Sequence, residues 1–246
     1  MYIFGNWKMY LDNQESVDFA KNLAKEDTKY ENIELAVFPS SLSMIGVEEQ
    51  LRGSAFSVGA QNCTWTPKGA YTGAISALMF KDVGCKYALV GHSERRHIFG
   101  ETNQDVRKKI EAVLDAGLIP VLCIGETIED RENGKTEYRL KKQLNKALEN
   151  LNVAADKIII AYEPVWAIGT GNPCDPADAD AMHRLVKKEI GQYIEGEVPV
   201  LYGGSVKADN VVSYLSLEAV NGVLIGGASV KADSFLDIIN AVKSIN

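Results

Sequence analysis

Short apolar runs alternate with helical patterns eight times along this chain, and that repeat predicts an α/β fold, a single-domain (β/α)8 barrel. Two further observations support it. The runs are apolar at nearly every position, as parallel strands buried on both faces are. No Pro/Ser-rich linker, low-complexity tract or block of like charge interrupts the chain, so one domain over residues 1–246 is expected. An open doubly wound sheet is the competing architecture. It usually has fewer strands at this length, whereas a closed barrel leaves no sheet edge.

In order, strands are expected at Tyr2–Asn6, Glu34–Phe38, Ser57–Gln61, Tyr87–Val90, Ile119–Ile124, Ile158–Glu163, Val198–Tyr202 and Gly222–Ile225. Between the fifth and sixth, Leu140, Leu144, Leu148 and Leu151 recur at helical spacing. After the eighth, Phe235, Ile238, Ile239 and Val242 do the same. Asp209 is expected to cap Asn210–Leu215 by accepting an orphan amide hydrogen.

Composition removes several classes of function. A hydrophobic share of 46% is ample for a large core. No apolar run approaches the roughly 18 to 20 residues that span a bilayer, and the N-terminus enters a strand-like segment without a signal peptide's charged start. Cys63, Cys85, Cys123 and Cys174 are scattered, which points to reduced thiols in the cytoplasm rather than to disulfides or a zinc site. A net charge of −7 opposes binding to nucleic acid and to anionic membranes. A small anionic ligand stays open, because local donors decide that.

A parallel barrel builds its site at the C-terminal ends of its strands, so the chemistry is sought at the strand exits. The first exit gives Asn6-Trp7-Lys8, where Lys8 either offers a fixed positive charge or snorkels on the rim, and Asn6 can donate a hydrogen bond. The fourth gives Gly91-His92-Ser93-Glu94-Arg95-Arg96-His97. Arg95 stands where a nucleophile elbow needs its second glycine, which leaves Ser93 as a helix cap. His92, at the start of a short helix, is either a neutral imidazole that polarises a carbonyl or a hydrogen-bonded structural group. Glu94 can orient Lys8 or pair with Arg95 or Arg96.

The sixth exit gives Glu163, followed by the Pro-, Gly- and Thr-rich stretch from Pro164 to Gly171. That order suggests a catalytic base beneath a lid, the alternative being an ordinary solvated glutamate. Exits seven and eight give Gly203-Gly204-Ser205 and Gly226-Gly227-Ala228-Ser229. Their amides can approach a phosphate, or the glycines can serve tight turns alone; two such turns on the last two strands favour phosphate. Gly169-Thr170-Gly171-Asn172-Pro173-Cys174 fails the dinucleotide fingerprint and no Walker A sequence occurs, so no cofactor is expected. His92, His97 and His183 lack ligand spacing, so no metal is expected either. A lysine, a neutral imidazole, a carboxylate and a nest of amides together suit proton abstraction beside the carbonyl of a small phosphorylated sugar, an aldose–ketose isomerisation.

Asn6-Trp7-Lys8, Val90 to Arg96, Cys123-Ile124-Gly125-Glu126, Tyr162 to Gly171, Tyr202-Gly203-Gly204-Ser205 and Gly226-Gly227-Ala228-Ser229 resemble triosephosphate isomerases, in that family's order from end to end of the chain. The resemblance implies a TIM barrel that interconverts dihydroxyacetone phosphate and D-glyceraldehyde 3-phosphate in glycolysis and gluconeogenesis. It implies Glu163 as base, His92 as electrophile, Lys8 as electrostatic contributor, Asn6 as substrate contact and Glu94 as a support for Lys8. Gly169, Ser205, Gly226 and Gly227 would hold the phosphate, and the segment from Pro164 to Cys174 would be the lid. It also implies a homodimer through the loop from Gln61 to Gly73, where Thr72 matches the family's inserted threonine and Trp65 and Tyr71 would be costly to leave in water.

Two departures stand out. Ala74 replaces the family's usual glutamate, the interface partner of the arginine matching Arg95, so a weaker or rearranged dimer contact is expected there. Asn172-Pro173-Cys174 replaces a Lys-Thr-Ala type of trailing hinge, with Cys174 expected on an exposed loop. Two other readings remain: a different sugar-phosphate barrel such as an epimerase, and a silent barrel kept as a scaffold. The Lys8, His92 and Glu163 set fits neither well.

Overall fold

The computed structural model describes residues 1–25, 32–168 and 173–243. Its eight strands are β1 (Tyr2–Asn6), β2 (Glu34–Phe38), β3 (Phe56–Ala60), β4 (Tyr87–Val90), β5 (Ile119–Ile124), β6 (Ile159–Tyr162), β7 (Val200–Tyr202) and β8 (Gly222–Ile225). They form a closed parallel barrel in sequence order, with β8 returning to pair with β1. Five of the eight expected spans are matched residue for residue. β3 lies one residue earlier than expected because Gln61 leaves the ladder, its side-chain Nε2 donating to the carbonyls of Lys8 and Phe38 at 2.7 and 2.9 Å. β7 starts late, since Pro199 has no amide hydrogen to pair. β6 is trimmed by one residue at each end.

Successive side chains of a strand point to opposite faces, and the barrel divides its core accordingly. Phe4, Phe38, Tyr87, Leu89, Val121, Cys123, Ile159, Ala161, Leu201 and Leu224 form one buried cluster. The alternate residues, among them Ile3, Val37, Val90, Leu122, Ile160 and Val223, join a second and larger cluster with the surrounding helices. β3 contributes little bulk to the inner cluster. At Gly59 the ring of Phe38 takes the space a Cβ would need.

The helical stripes meet this outer core. Leu140, Leu144 and Leu148 are fully buried on the helix Thr136–Leu148, as are Phe235, Ile238, Ile239 and Val242 on Ala232–Lys243. Leu151 lies past its helix's end, after Asn150 turns the chain with φ of 57°, and still packs against the core. Asp209 does not cap Val211–Leu215. Asn210 takes the N-cap position, and its Oδ1 accepts from the Lys207 amide at 2.8 Å instead of capping the helix. No helix among the described residues is long and apolar enough to cross a membrane.

His183 sits fully buried on the helix Pro176–Ile190, edge-on to Tyr162 with ring centroids 5.6 Å apart. Burial pushes its imidazole down to about 4. Above the ordinary value of 6.5 both folded and unfolded chains hold it neutral. As pH falls below that, the unfolded chain takes up a proton that the folded one refuses until about 4, so stability is lost across this window. Between pH 7 and 4.5, His183→Phe is predicted to lose roughly 2 kcal/mol less stability than the parent in urea unfolding. Parallel pH profiles for the two proteins would contradict this.

Candidate active site

Strand parity places the site. Counting by two from the inward residues of β1 and of β4 to β8 leads, at the C-terminal mouth, to Asn6, Gly91, Gly125, Glu163, Gly203 and Gly226. Most of that ring is glycine, and the space matters. A Cβ at Gly203 would come within 2.7 Å of Glu163 Cγ, and one at Gly125 would overlap the Glu163 carbonyl. Glu163 therefore fills room that its neighbours leave empty.

Glu163 is 2% exposed and His92 5% exposed, so the two are desolvated together. His92 Nε2 lies 3.2 Å from Glu163 Oε1, and the Ser93 amide donates to Oε2 at 3.2 Å. On its other side the ring accepts the Glu94 amide at Nδ1, 3.2 Å away. That contact requires an unprotonated Nδ1 and so fits the neutral tautomer with its hydrogen on Nε2. His92, and not Ser93, is the N-cap of the helix Ser93–His97; the imidazole does what the hydroxyl was expected to do.

Position at a helix start is not the whole electrostatic account of the ring. Burial works against a charge on His92, but the adjacent Glu163 charge and hydrogen bond outweigh it and raise the imidazole's pKa. At Glu163 burial favours the neutral acid, and His92 together with the Ser93 amide overcomes it, so the carboxyl is held below its ordinary value. A group that separates the two side chains removes that mutual support.

Lys8 is fixed from three directions. Its backbone is left-handed, with φ of 51°, a conformation costing a lysine roughly 1 kcal/mol. Asn6 Oδ1 accepts the Lys8 amide at 3.0 Å, Gln61 holds its carbonyl, and Nζ meets Glu94 Oε1 at 2.8 Å. Of the two roles open to Glu94, the structure shows contact with Lys8; Arg95 and Arg96 look elsewhere. Arg95 bonds Glu101 at 2.7 Å, and Arg96 ties the Gly91 carbonyl to that of Cys123 at 2.6 and 3.1 Å.

Asn6, Lys8, His92, Glu163, Ser205, Gly226 and Gly227 all line one cavity of about 310 Å³. Glu94 lies beside it, in a larger groove of about 770 Å³ that shares Asn6, Lys8 and His92. Ser205 Oγ donates to the Ala167 carbonyl at 2.7 Å. Gly169 lies outside the described residues. Cys174 is a correction: it is 1% exposed, and burial pushes its thiol up to about 12, which makes it a poor thiolate.

Sequence reasoning gave Glu126 no role, although the structure buries it completely below the site. Its Oε1 accepts from Tyr162 Oη at 3.2 Å and from Trp166 Nε1 at 2.8 Å, which ties the 3-10 turn Val165–Ala167 to the barrel. Burial raises its pKa. Its place in the Cys123–Glu126 motif was the available signal, but the partners lie 36 and 40 residues away.

The closed barrel, with its polar groups gathered at one mouth, defines a (β/α)8-barrel protein of the kind whose site is built from strand exits. Comparison with known proteins narrows this. The family model for triosephosphate isomerase matches residues 1–242. The triosephosphate isomerase of Francisella philomiragia is 44% identical over 247 residues, covering 99% of this chain and 97% of the relative. That of Dictyoglomus thermophilum is 43% identical over 244 residues, covering 97% and 98%. The crystal structure of the triosephosphate isomerase from Bartonella henselae superimposes with a TM-score of 0.89 at 36% identity, covering 98% of both chains. The chain belongs to the triosephosphate isomerase family.

Proposed function

We propose that Glu163 is the base, His92 the electrophile and Lys8 the fixed cation of this enzyme's reaction. As a member of its family the chain is an isomerase that interconverts dihydroxyacetone phosphate and D-glyceraldehyde 3-phosphate. The observation that carries the assignment is the desolvated Glu163–His92 pair, 3.2 Å apart at the wall of a cavity that also holds Lys8.

In this reading the substrate's carbonyl oxygen accepts a hydrogen bond from His92 Nε2–H in place of Glu163 Oε1. Glu163 then removes the proton from the neighbouring carbon. The electron pair forms a carbon–carbon double bond, and the negative charge moves to the carbonyl oxygen, which faces His92 Nε2–H and Lys8 Nζ. The protonated Glu163 returns its proton to the former carbonyl carbon, while the hydroxyl proton passes between the two oxygens beside His92. Asn6 orients the substrate and Lys8, and Glu94 holds Lys8 in place. The amides of Ser205, Gly226, Gly227 and Gly169 take the phosphate, and the segment from Pro164 to Cys174 covers it. Glu163→Gln is predicted to lower turnover by roughly 10²-fold or more. A folded variant with full activity would remove Glu163 from the mechanism.

A homodimer belongs to the same proposal. Met9 and Phe99 are exposed at the larger groove, and Leu42, Tyr71 and Ile98 are exposed as well. A second copy's loop from Trp65 to Gly73 would fill that groove and cover them. Ala74 offers no charge to Arg95, whose guanidinium already has Glu101 within its own chain. Ala74→Glu is therefore predicted to tighten the dimer only modestly, about two- to fivefold in dissociation constant by analytical ultracentrifugation. No change would contradict a contact between residue 74 and Arg95 across the interface. Four buried free cysteines and a reaction on a soluble sugar phosphate support a cytoplasmic location.

A further inference from the structure

The exit of β5 runs beside the base, and each carbonyl from Cys123 to Glu126 accepts a hydrogen bond. Two of them serve the exit of β6: the Glu163 amide donates to the Ile124 carbonyl at 2.7 Å, and the Val165 amide to that of Glu126 at 3.0 Å. The other two are served by side chains. β4 pairs with β5 only as far as Leu122, and past that point no strand continues the ladder. Arg96 donates to the Cys123 carbonyl at 3.1 Å, and Gln143 takes both polar groups of the Gly125 backbone.

Gln143 stands on the helix Thr136–Leu148 and is 5% exposed. Its Oε1 accepts the Gly125 amide hydrogen at 2.9 Å, and its Nε2 donates to the Gly125 carbonyl at 3.2 Å. Only one orientation of the side-chain amide makes both bonds, with donor and acceptor side by side as a neighbouring strand would present them. Gly125 is in turn the surface on which the Glu163 backbone rests. A Cβ there would lie 1.7 Å from the Glu163 carbonyl oxygen and 2.7 Å from its carbon, so the two main chains are in direct contact.

We propose that Gln143 is a positioning residue for the isomerisation, fixing the Gly125 peptide and through it the carboxylate of Glu163. Gln143 has this role only if Glu163 is the base proposed above. It touches no reacting atom. Its two side-chain hydrogen bonds both go to the β5 exit, not to the amides of Ser205, Gly226 and Gly227 assigned to the phosphate. Its loss therefore bears on the proton transfer and not on capture of the phosphate.

Gln143→Met keeps the length of the side chain and removes both bonds. The buried donor and acceptor of Gly125 are then unpaired, and the exit shifts to find other partners. A misplacement of about 1 Å at a reacting group costs up to about 10²-fold in rate. In Gln143→Met, kcat is predicted to fall about ten- to a hundredfold, with the inhibition constant of inorganic phosphate unchanged within about twofold. The isotope effect on kcat, with substrate deuterated at the carbon that Glu163 deprotonates, should rise as the proton transfer slows. Gln143→Asn keeps the amide but falls one methylene short; it should change the same quantities in the same direction, and it decides the matter if the methionine variant does not fold. A purely structural role would lower thermal stability and leave kcat per folded molecule and the isotope effect at the parent's values. That result, with Glu163→Gln impaired alongside, would overturn the positioning role alone. A fully active Glu163→Gln would overturn the assignment of the base and this role with it.

Discussion

Glu163 owes its position to the two-residue period of a strand inside a closed barrel. Ile159 and Ala161 point into the barrel, so the next residue of that parity must emerge at the mouth. The same count brings Asn6, Gly203 and Gly226 to the rim from other strands. A shift of one residue in β6 would send Glu163 into the apolar layer under the helices and put Tyr162 at the mouth. Pairing of Val121 to Ile159 and of Ile160 to Val200 fixes the register that prevents this.

Clearance is the second requirement. A carboxylate and a lysine occupy the mouth because the neighbouring positions carry no Cβ, most sharply at Gly203 and Gly125. The energetic cost is accepted elsewhere: a left-handed Lys8, a buried carboxylate and a buried imidazole are each unfavourable alone. Each is met by a specific partner, Gln61 and Asn6 at the lysine backbone, Glu94 at its ammonium, and His92 and Glu163 for one another. The buried polar groups of the mouth thus satisfy one another, His92 and Glu163 most directly.

The parts of this arrangement that were legible in the sequence depend on short-range patterns. Apolar runs bounded by turn residues marked the strands, and a polar residue just past such a run marked Asn6, Lys8 and Glu163. The parts that were not legible depend on contacts distant in the chain. Cys174 looks exposed from its Pro- and Asn-containing surroundings, but Tyr202 and Tyr214, 28 and 40 residues on, bury it. Ser93 has the composition of an N-cap, yet the residue before it caps the helix because Glu163 and Glu94 already hold the imidazole in place. Asp209 fails as a cap for a similar reason, since Asn210 binds the loop that follows β7. Local propensity proposes in these cases, and the tertiary neighbours decide.

The central claim is that a side-chain carboxylate carries a proton between two adjacent carbons. Running the isomerisation in D2O and reading the products by NMR tests it most directly. Proton transfer through Glu163 exposes the carried hydrogen to solvent, so deuterium should appear in the product on the carbon that Glu163 reprotonates. Product that carries no deuterium at carbon under any condition would mean direct hydride migration, and would contradict the account.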